Sequence, residues 1–309
     1  MTLKSNENVL LIGGYGFIGT ALTGHLIEKG FNVHVADQSA SHPDPIPRAT
    51  YFSGNLADEA FMRPLLDQCG TIVHLATTTT PGLSADQAAI EAETNILPTL
   101  RLIDILRDVA PRHLLFVSSG GTLYGNPASR KVSETAAIQP LSFHGAGKAA
   151  LEYFFKVCAH TTRHTVTILR PSNIYGPGQP LKEGFGVIRT MLEHLLHGTA
   201  MDIWGDGSII RDYLFITDML TAVSGIIDGK SHPGGTYNVG VGVGHRIDEV
   251  IAAVQHVTGE RLSVRYHSQR IIDVQNIVLN HSKLAARTGW QPQVPLDEGI
   301  RQTWAWLTK

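Results

Sequence analysis

A glycine-rich turn near the start of the chain constrains the fold more than any other stretch. Residues 9–37 read VLLIGGYGFIGTALTGHLIEKGFNVHVAD. The first apolar run breaks at glycines, and apolar side chains then recur on one face of a helical pattern. A strand, a tight turn and a helix in this order, followed by a second strand, predict an α/β fold with a doubly wound parallel sheet.

The glycines of this turn meet different steric demands. Gly13 lets the chain turn, Gly16 lets the backbone approach a pyrophosphate, and Gly19 lets the helix pack close to the sheet. Free N–H groups at the helix start would face the phosphates. The second strand ends in Asp37, roughly 20 residues past the glycines, where a carboxylate can accept both ribose hydroxyls of an adenosine. Because this acid would repel the 2′-phosphate of NADP, we expect NAD as the cofactor.

Composition excludes several other classes of partner. A net charge of -2 and a pI near 6.7 give no basic surface field, so nucleic acid is not expected. Cys69 and Cys158 lie far apart without metal or redox spacing, and the 15 histidines are scattered, so we expect no metal site. The first residues, MTLKSNEN, lack the apolar core of a signal peptide, and no apolar run approaches the ~20 residues that span a bilayer. These features favour a reduced, cytoplasmic protein.

Strand and helix patterns alternate as far as residue 172. Strands are predicted at 51–52, 71–76, 113–117 and 165–169, and helices at 58–69, from 85 to about 109 with a kink at Pro98, and from 143. Such alternation requires parallel pairing with right-handed crossovers, which places a ligand cleft at the carboxyl ends of the strands. We expect a dinucleotide-binding Rossmann domain at 1–172 with returning segments near 212–240. Residues 173–309 would form mainly a smaller α/β substrate-binding lobe.

Together these motifs resemble the extended branch of the short-chain dehydrogenase/reductase superfamily, the NAD-dependent nucleotide-sugar epimerases and dehydratases. The resemblance runs from Val9 to Leu307. It implies that the cofactor is also lined by Phe17, Ile18, Asn55, Leu56, Leu75, Ala76, Thr77, Asn95, Lys148 and Pro171. Asn95 would fix the active-site backbone. A strand-end turn at Asn55, a plain loop at Thr77 and an exposed helical position for Asn95 are the alternatives.

The family's catalytic Tyr-x-x-x-Lys motif reads His144-Gly-Ala-Gly-Lys148 in this chain. In the family, the lysine holds the nicotinamide ribose and lowers the tyrosine pKa, so that the phenolate can take a proton from a sugar hydroxyl. A neutral imidazole, with an ordinary pKa of about 6.5, suits a base near neutrality. It reaches less far than phenol, however, and an error of about 1 Å can cost on the order of a hundredfold in rate. Two hypotheses therefore stay open: a working base, or a degenerate or engineered replacement in a protein that binds ligands but turns over poorly.

The sequence of the loop SSGGTLYG, residues 118–125, helps to distinguish which reaction of the family a member catalyses. The UDP-galactose 4-epimerases, which this chain resembles, carry a serine at the position of Gly120. Because glycine has no hydroxyl, the neighbouring Ser119 or Thr122 is expected to donate the hydrogen bond to the sugar hydroxyl. Capping of the loop backbone is the alternative for both hydroxyls. The loop lacks the carboxylate that dehydratases carry. The expected activity is 4-epimerisation of a UDP-hexose or UDP-N-acetylhexosamine; a one-way ketosugar reductase and a non-catalytic binding protein are the alternatives.

Substrate contacts are expected from the smaller lobe. By the same resemblance, Arg211 and Arg270 hold the diphosphate and the nucleotide ribose, with Arg270 spaced from Asp273 as in the family's Arg-x-x-Asp. Asn173 matches the asparagine that reaches the sugar diphosphate. The planar guanidinium suits phosphate oxygens, although a solvated surface charge is the alternative for each arginine.

The resemblance also implies a homodimer. The helices near 86–109 and 143–160 would pair with their copies in a second chain. Leu102 and Phe155 are expected to be exposed apolar contacts of that interface. A monomer with these side chains in its own core is the alternative.

Overall fold

The computed structural model describes residues 7–42, 44–80, 87–129, 131–182, 184–229, 234–269 and 274–309. In chain order, the strands of this part are β1 (Asn8–Ile12), β2 (Asn32–Asp37), β3 (Thr50–Ser53), β4 (Thr71–His74), β5 (His113–Val117), β6 (Thr165–Pro171), β7 (Asn173–Tyr175), β8 (Met201–Trp204), β9 (Ile210–Phe215), β10 (Gly235–Val239), β11 (Gly244–Arg246), β12 (Val264–His267) and β13 (Asn276–Ile277). The helices are α1 (Phe17–Glu28), α2 (Glu59–Gln68), α3 (Ala88–Glu91), α4 (Leu97–Leu106), α5 (Gly120–Leu123), α6 (Phe143–Thr161), α7 (Val187–Leu196), α8 (Ile216–Ile227), α9 (Ile247–Thr258), α10 (Ser282–Thr288) and α11 (Leu296–Leu307).

The larger lobe is built on a parallel sheet, to which the described residues contribute seven strands in the order β10-β6-β5-β4-β1-β2-β3. Its central strands are short apolar runs buried on both faces, as a parallel sheet covered by helices requires. From β1 the chain builds outward through β2 and β3, then crosses back to β4 on the other side. The strand order therefore reverses between β1 and β4, where such sheets open a crevice for ligands. The predicted doubly wound sheet is confirmed.

Helices cover both faces of this sheet. Along β1, Val9 and Leu11 belong to a core cluster that includes side chains of α1 and α8, because successive strand residues point to opposite faces. Leu10 and Ile12 belong to the opposite cluster, which α2, α4 and α6 complete. The larger lobe is thus a three-layer sandwich, and its ligand crevice lies at the edge where the strands end.

The expectation that Leu102 and Phe155 are exposed is wrong. Their exposed fractions are 1% and 2%, and the Phe155 ring stacks on Phe116 of β5 with ring centroids 4.7 Å apart. Helix α6 carries apolar side chains on two faces, and the sequence alone does not say which face meets the sheet. The exposed apolar side chains on α6 include Tyr153, Phe154 and Val157.

The helix predicted between 85 and 109 is interrupted one turn before Pro98. A π-helical turn, Ala92–Ile96, joins α3 to α4. Proline has no N–H to donate to the carbonyl four residues earlier, here that of Thr94, so a regular α-helix cannot run through this point. The kink expected at Pro98 takes the form of this wide turn, and residues 85 and 86 lie outside the described ranges.

The smaller lobe gathers around β9, which pairs with β7 and β13 in parallel and with β11 antiparallel. A second pair, β8 and β12, lies beside it, and α7, α9 and α11 pack together. Of the segment near 212–240, β10 joins the large sheet and α8 packs on α1, whereas β9 belongs to the smaller lobe. The chain therefore passes more than once between the two lobes.

Candidate active site

A large cleft opens at the carboxyl edge of the seven-stranded sheet and continues beneath the smaller lobe. Its volume is about 1700 Å³, above the range of roughly 300–1,000 Å³ usual for a single small-molecule site, so it has room for two ligands. The cleft is lined by these predicted site residues: Gly13, Gly16, Phe17, Ile18, Gly19, Asp37, Asn55, Leu56, Leu75, Ala76, Thr77, Asn95, Ser119, Thr122, His144, Lys148, Pro171, Asn173 and Arg211. Arg270 and Asp273 lie outside the described residues.

The glycine turn is shaped by close backbone contacts. Gly13 has a φ of +79°, and a Cβ atom there would lie 2.5 Å from the Cα of Ala76, so both conformation and space demand glycine. Gly16 precedes α1, and the nearest neighbour of a Cβ there would be 3.6 Å away, which leaves its backbone open to the cleft. A Cβ on Gly19 would meet the Cα of Gly14 at 2.5 Å, so this glycine packs on the turn itself and not on a strand.

Asp37 ties the glycine turn to the end of β2. Its Oδ2 accepts a hydrogen bond from the Tyr15 backbone N–H at 3.1 Å, and its Oδ1 accepts one from the Ser39 N–H at 3.1 Å. A carboxylate offers about four acceptor positions, so two remain for the hydroxyls of a ribose. The open backbone at Gly16 and these remaining acceptor positions fit the pyrophosphate and adenosine ribose of NAD.

Asn95 holds the loop that follows β4. It lies in the π-helical turn with an exposed fraction of 6%, so the alternative of an exposed helical asparagine does not apply. Its Oδ1 accepts from the Thr78 backbone N–H at 2.9 Å, and its Nδ2 donates to Thr79 Oγ1 at 2.9 Å. Isolated π turns are frequent at functional sites, and this one aims a side-chain amide at the cleft loop.

His144 and Lys148 project from the same face of α6, as residues four apart do. Both are buried, with exposed fractions of 7% and 5%. Burial, and secondarily the Lys148 ammonium, lowers the pKa of His144 to about 3, so the imidazole is neutral at pH 7. Burial lowers the pKa of Lys148 to about 8, opposed by the charges of Glu91 and Glu152. Lys148 Nζ donates to the Val117 carbonyl at 3.0 Å.

The loop after β5 presents hydroxyl groups that cap nothing. Ser119 precedes α5 but makes no side-chain cap hydrogen bond, and the buried Oγ1 of Thr122 has no hydrogen-bond partner within the described part of the chain. Capping is therefore not the role of either side chain. A Cβ on Gly120 would lie 2.4 Å from Leu279 Cδ1 and 2.9 Å from the Arg170 carbonyl oxygen, so no serine fits there. Since buried polar atoms rarely stay unpaired, Thr122 Oγ1 points to a ligand.

The smaller lobe reaches the cleft through β7 and β9. Asn173 Nδ2 donates to the Asp212 backbone carbonyl at 3.1 Å, and Arg211 Nη1 donates to the Ile210 carbonyl at 3.0 Å. The Asp212 carboxylate, missed in the sequence, accepts hydrogen bonds from Ser172, Val241, Gly242 and Leu279, which brings segments of both lobes to one point. Its place beside Arg211 was visible in the sequence, but its burial was not.

Sequence reasoning also missed Glu91, a carboxylate with an exposed fraction of 3% behind the cleft. The Thr79 hydroxyl donates to its Oε2, and the same hydroxyl lies 3.1 Å from His144 Nδ1. The available signal was its position four residues before Asn95, which puts both side chains on one helix face.

Two further observations concern metal ions and membranes. Within the ranges described, no group of three or more His, Cys, Asp or Glu side chains is arranged to hold a metal ion. In the same ranges, every helix is too short or too polar to cross a bilayer.

Known proteins are similar to this chain in sequence and in fold. Residues 9–240 match the model of the NAD dependent epimerase/dehydratase family. The UDP-glucose 4-epimerase of Mycolicibacterium smegmatis is 30% identical over 95% of this chain and 96% of its own length. The Thermus thermophilus UDP-glucose 4-epimerase, solved in complex with NAD, superposes with a TM-score of 0.90 at 30% identity, covering 97% of this chain and 99% of that one. The Thermotoga maritima UDP-glucose 4-epimerase, solved with UDP-glucose, gives 0.91 at 28% identity, covering 97% and 98%.

These matches extend over both lobes and confirm the predicted family, the predicted cofactor and the prediction that the protein is an enzyme. The matched residues run from the glycine turn through β9 and β10, across most of the chain. This chain belongs to the NAD dependent epimerase/dehydratase family.

Proposed function

We propose that the protein is an NAD-dependent 4-epimerase of a UDP-linked hexose or N-acetylhexosamine. The observation that carries the proposal is a single cleft that joins the glycine turn, the His144–Lys148 pair and the Arg211 side of the smaller lobe. A cofactor and a sugar nucleotide can therefore meet at His144. Similarity to enzymes named UDP-glucose 4-epimerases supports the choice of reaction.

The cofactor would be held along the β1–β4 edge. The backbone at Gly13 and Gly16 and the N–H groups at the start of α1 suit the pyrophosphate, and Asp37 suits the adenosine ribose. The adenine side would be formed by Asn55 and Leu56. The remaining contacts, from Phe17, Ile18, Gly19, Leu75, Ala76, Thr77, Asn95 and Pro171, line the same edge of the cleft. NAD, when bound there, supplies a reversible acceptor for the hydride of the sugar carbon.

The chain's own side chains would handle the proton. His144, neutral because it is buried and lies near Lys148, would take the proton of the C4 hydroxyl and give it back. Thr122, with Ser119 as the neighbouring hydroxyl, would donate a hydrogen bond to the same oxygen. Lys148 would hold the nicotinamide ribose and discourage a resting charge on the imidazole. Asn173 and Arg211, with Arg270 and Asp273 from outside the described ranges, would bind the diphosphate and nucleotide.

The test is turnover without added cofactor. Purified protein is incubated with UDP-glucose or UDP-N-acetylglucosamine, and the products are separated by chromatography and identified by NMR. We expect the C4 epimer to form with cofactor that copurifies, because the hydride leaves and returns within one cycle. Consumption of added reduced cofactor with a UDP-4-ketohexose, and no epimerisation of UDP-glucose, would indicate a ketosugar reductase instead. Bound NAD and UDP-sugar without any product would indicate a binding protein.

We further propose that the protein is a cytoplasmic homodimer. Its dinucleotide-binding domain would comprise 1–172 with returning segments near 212–240, and 173–309 would form mainly the substrate-binding lobe. Tyr153, Phe154 and Val157 form an exposed apolar face on α6, the helix that the family resemblance assigns to subunit pairing. Such a face on a surface helix is suited to burial against a second copy. The buried free thiols of Cys69 and Cys158 suit a reducing compartment.

A further inference from the structure

We propose that Thr79 and Glu91 fix the tautomer of His144, so that Nδ1 carries the proton and Nε2 is the bare nitrogen that serves as the base. Neither residue would touch the substrate; both are positioning residues that act through the imidazole. The inference deepens the epimerase function proposed above and rests on it for its catalytic part.

The side chains behind the imidazole form one continuous series of buried hydrogen bonds. The Thr79 hydroxyl is 3.1 Å from His144 Nδ1 and donates to Glu91 Oε2. Asn95 Nδ2 donates to the same hydroxyl oxygen at 2.9 Å. All four side chains have exposed fractions below 9%, so these bonds are largely shielded from solvent.

Counting protons and lone pairs along these hydrogen bonds leaves one arrangement of donors and acceptors. Asn95 Oδ1 accepts from the Thr78 backbone N–H, so its Nδ2 must be the group that faces Thr79. A threonine hydroxyl has one proton and two acceptor positions, and a carboxylate only accepts. The proton of Thr79 therefore goes to Glu91, and its oxygen accepts from both Asn95 Nδ2 and His144 Nδ1. An imidazole that donates from Nδ1 and is neutral has its lone pair on Nε2.

The same hydrogen bonds also stabilise the charge that forms on the imidazole during proton transfer. When the sugar hydroxyl gives its proton to Nε2, the imidazole becomes cationic beside the Lys148 ammonium, which disfavours it. The Glu91 carboxylate, connected through Thr79, is the opposite charge on the far side of the ring. An orienting carboxylate of this kind holds the tautomer and stabilises the imidazolium. The Nδ1 proton stays in place throughout, and the Nε2 proton returns to the sugar oxygen when the carbonyl is reduced.

The sequence of α6 makes room for this arrangement. A Cβ on Gly147 would lie 2.3 Å from Glu91 Oε1. Glycine inside a helix costs about 1 kcal/mol relative to alanine, so its presence between His144 and Lys148 needs a reason. Admitting the Glu91 carboxylate against the helix supplies that reason.

The test compares two matched variants of the NAD-loaded enzyme labelled with ¹⁵N-histidine. Long-range ¹H–¹⁵N NMR spectra identify which ring nitrogen of His144 is protonated, with the signal assigned from a His144→Gln sample. We expect the Nδ1–H form in the wild type and in Thr79→Ser, which keeps the hydroxyl. Thr79→Val keeps the shape but removes the acceptor, so the ring should shift toward the Nε2–H form. For this variant kcat should fall on the order of a hundredfold while KM changes little.

A second variant, Glu91→Gln, removes the charge and keeps the shape, and should lower kcat without raising KM. The inference is overturned if Thr79→Val retains the Nδ1–H form, or if its kcat equals that of Thr79→Ser despite a shifted tautomer. The spectra also separate this inference from the proposed function. If the tautomer responds to Thr79→Val in a protein that epimerises no UDP-sugar, the positioning of His144 stands and the epimerase function does not.

Discussion

At position 144 the identity of the side chain decides how the site handles a proton. A tyrosine must lose a proton before it can act as a base, so a neighbouring lysine helps by lowering its pKa. An imidazole is already neutral, and burial with the nearby Lys148 lowers the pKa of His144 to about 3. Lys148 therefore has a different effect here: it keeps the base uncharged at rest, and its charge must be balanced when the base is protonated.

Replacing His144 tests whether imidazole is the working base. We expect His144→Ala to lower kcat by two orders of magnitude or more, the size usual for loss of a general base. His144→Tyr should also lose activity, because a phenol ring has no nitrogen at the place of Nδ1, which lies 3.1 Å from Thr79 Oγ1, and so loses this hydrogen bond. Initial rates with UDP-glucose measure both effects. A large gain on His144→Tyr would instead identify His144 as a damaged remnant of a tyrosine site.

Two buried histidines predict a loss of stability in acid. Burial, with Lys148, lowers the pKa values of His74 and His144 to about 3 in the folded protein, against about 6.5 when unfolded. Between these values the unfolded chain binds more protons, so the free energy of unfolding falls as pH falls from 6.5 toward 3. The slope is at most about 1.4 kcal/mol per pH unit for each histidine.

Urea unfolding of the wild type and of His144→Gln between pH 7 and pH 5 measures this dependence. The variant should have a shallower slope because one of the two histidines is gone. Equal slopes would show that His144 is not held neutral by the fold.

At the level of secondary structure, glycine in the first two turns of α6 lets the Glu91 side chain pack directly against the helix backbone. We expect Gly147→Ala to lower both the free energy of unfolding and kcat, because its Cβ would lie 2.3 Å from Glu91 Oε1. An ordinary glycine-to-alanine change inside a helix gains about 1 kcal/mol. Gly225→Ala in α8 is the control, since a Cβ there meets no atom within 4 Å. Urea unfolding of both variants should move in opposite directions, and stabilisation by Gly147→Ala would contradict the geometry.

Elements whose signal is local could be predicted from the sequence. The strand, glycine turn and helix from Val9 onward, and the helix at α2, follow from apolar periodicity and glycine placement over short stretches. The alternation of strands and helices then required a parallel sheet, so the cleft and nearly every proposed ligand contact fall where strand ends meet.

What depended on packing between distant segments could not be predicted. The family resemblance predicts Phe155 on the surface of a dimer helix, but α6 has two apolar faces, and only the contact with Phe116 decides which one is buried. The connection of His144 to Glu91 joins residues that are far apart in sequence through a threonine in a plain-looking loop. Neither apolar pattern nor motif spacing carries that information.

On the scale of the whole molecule, the two lobes meet around the Asp212 carboxylate, and α6 exposes the apolar side chains of Tyr153, Phe154 and Val157. We expect Val157→Glu to convert a homodimer to monomers, because it puts a charge in an exposed apolar face with an exposed fraction of 58% at this residue. Val243→Glu, at a surface position of 50% exposure elsewhere, is the matched control. Light scattering coupled to size exclusion measures both. A wild type that is monomeric at all concentrations would remove the dimer.

In the proposed function, one cleft takes a hydride from a sugar carbon and returns it to the same carbon, with His144 as the base. The most direct measurement is the fate of the label when UDP-glucose carrying deuterium at C4 is incubated with the enzyme in ordinary water. We expect UDP-galactose that retains deuterium at C4, formed at least about a hundredfold more slowly by His144→Ala. Product that has exchanged its C4 deuterium for solvent hydrogen, or equal turnover by His144→Ala, would contradict the proposed function.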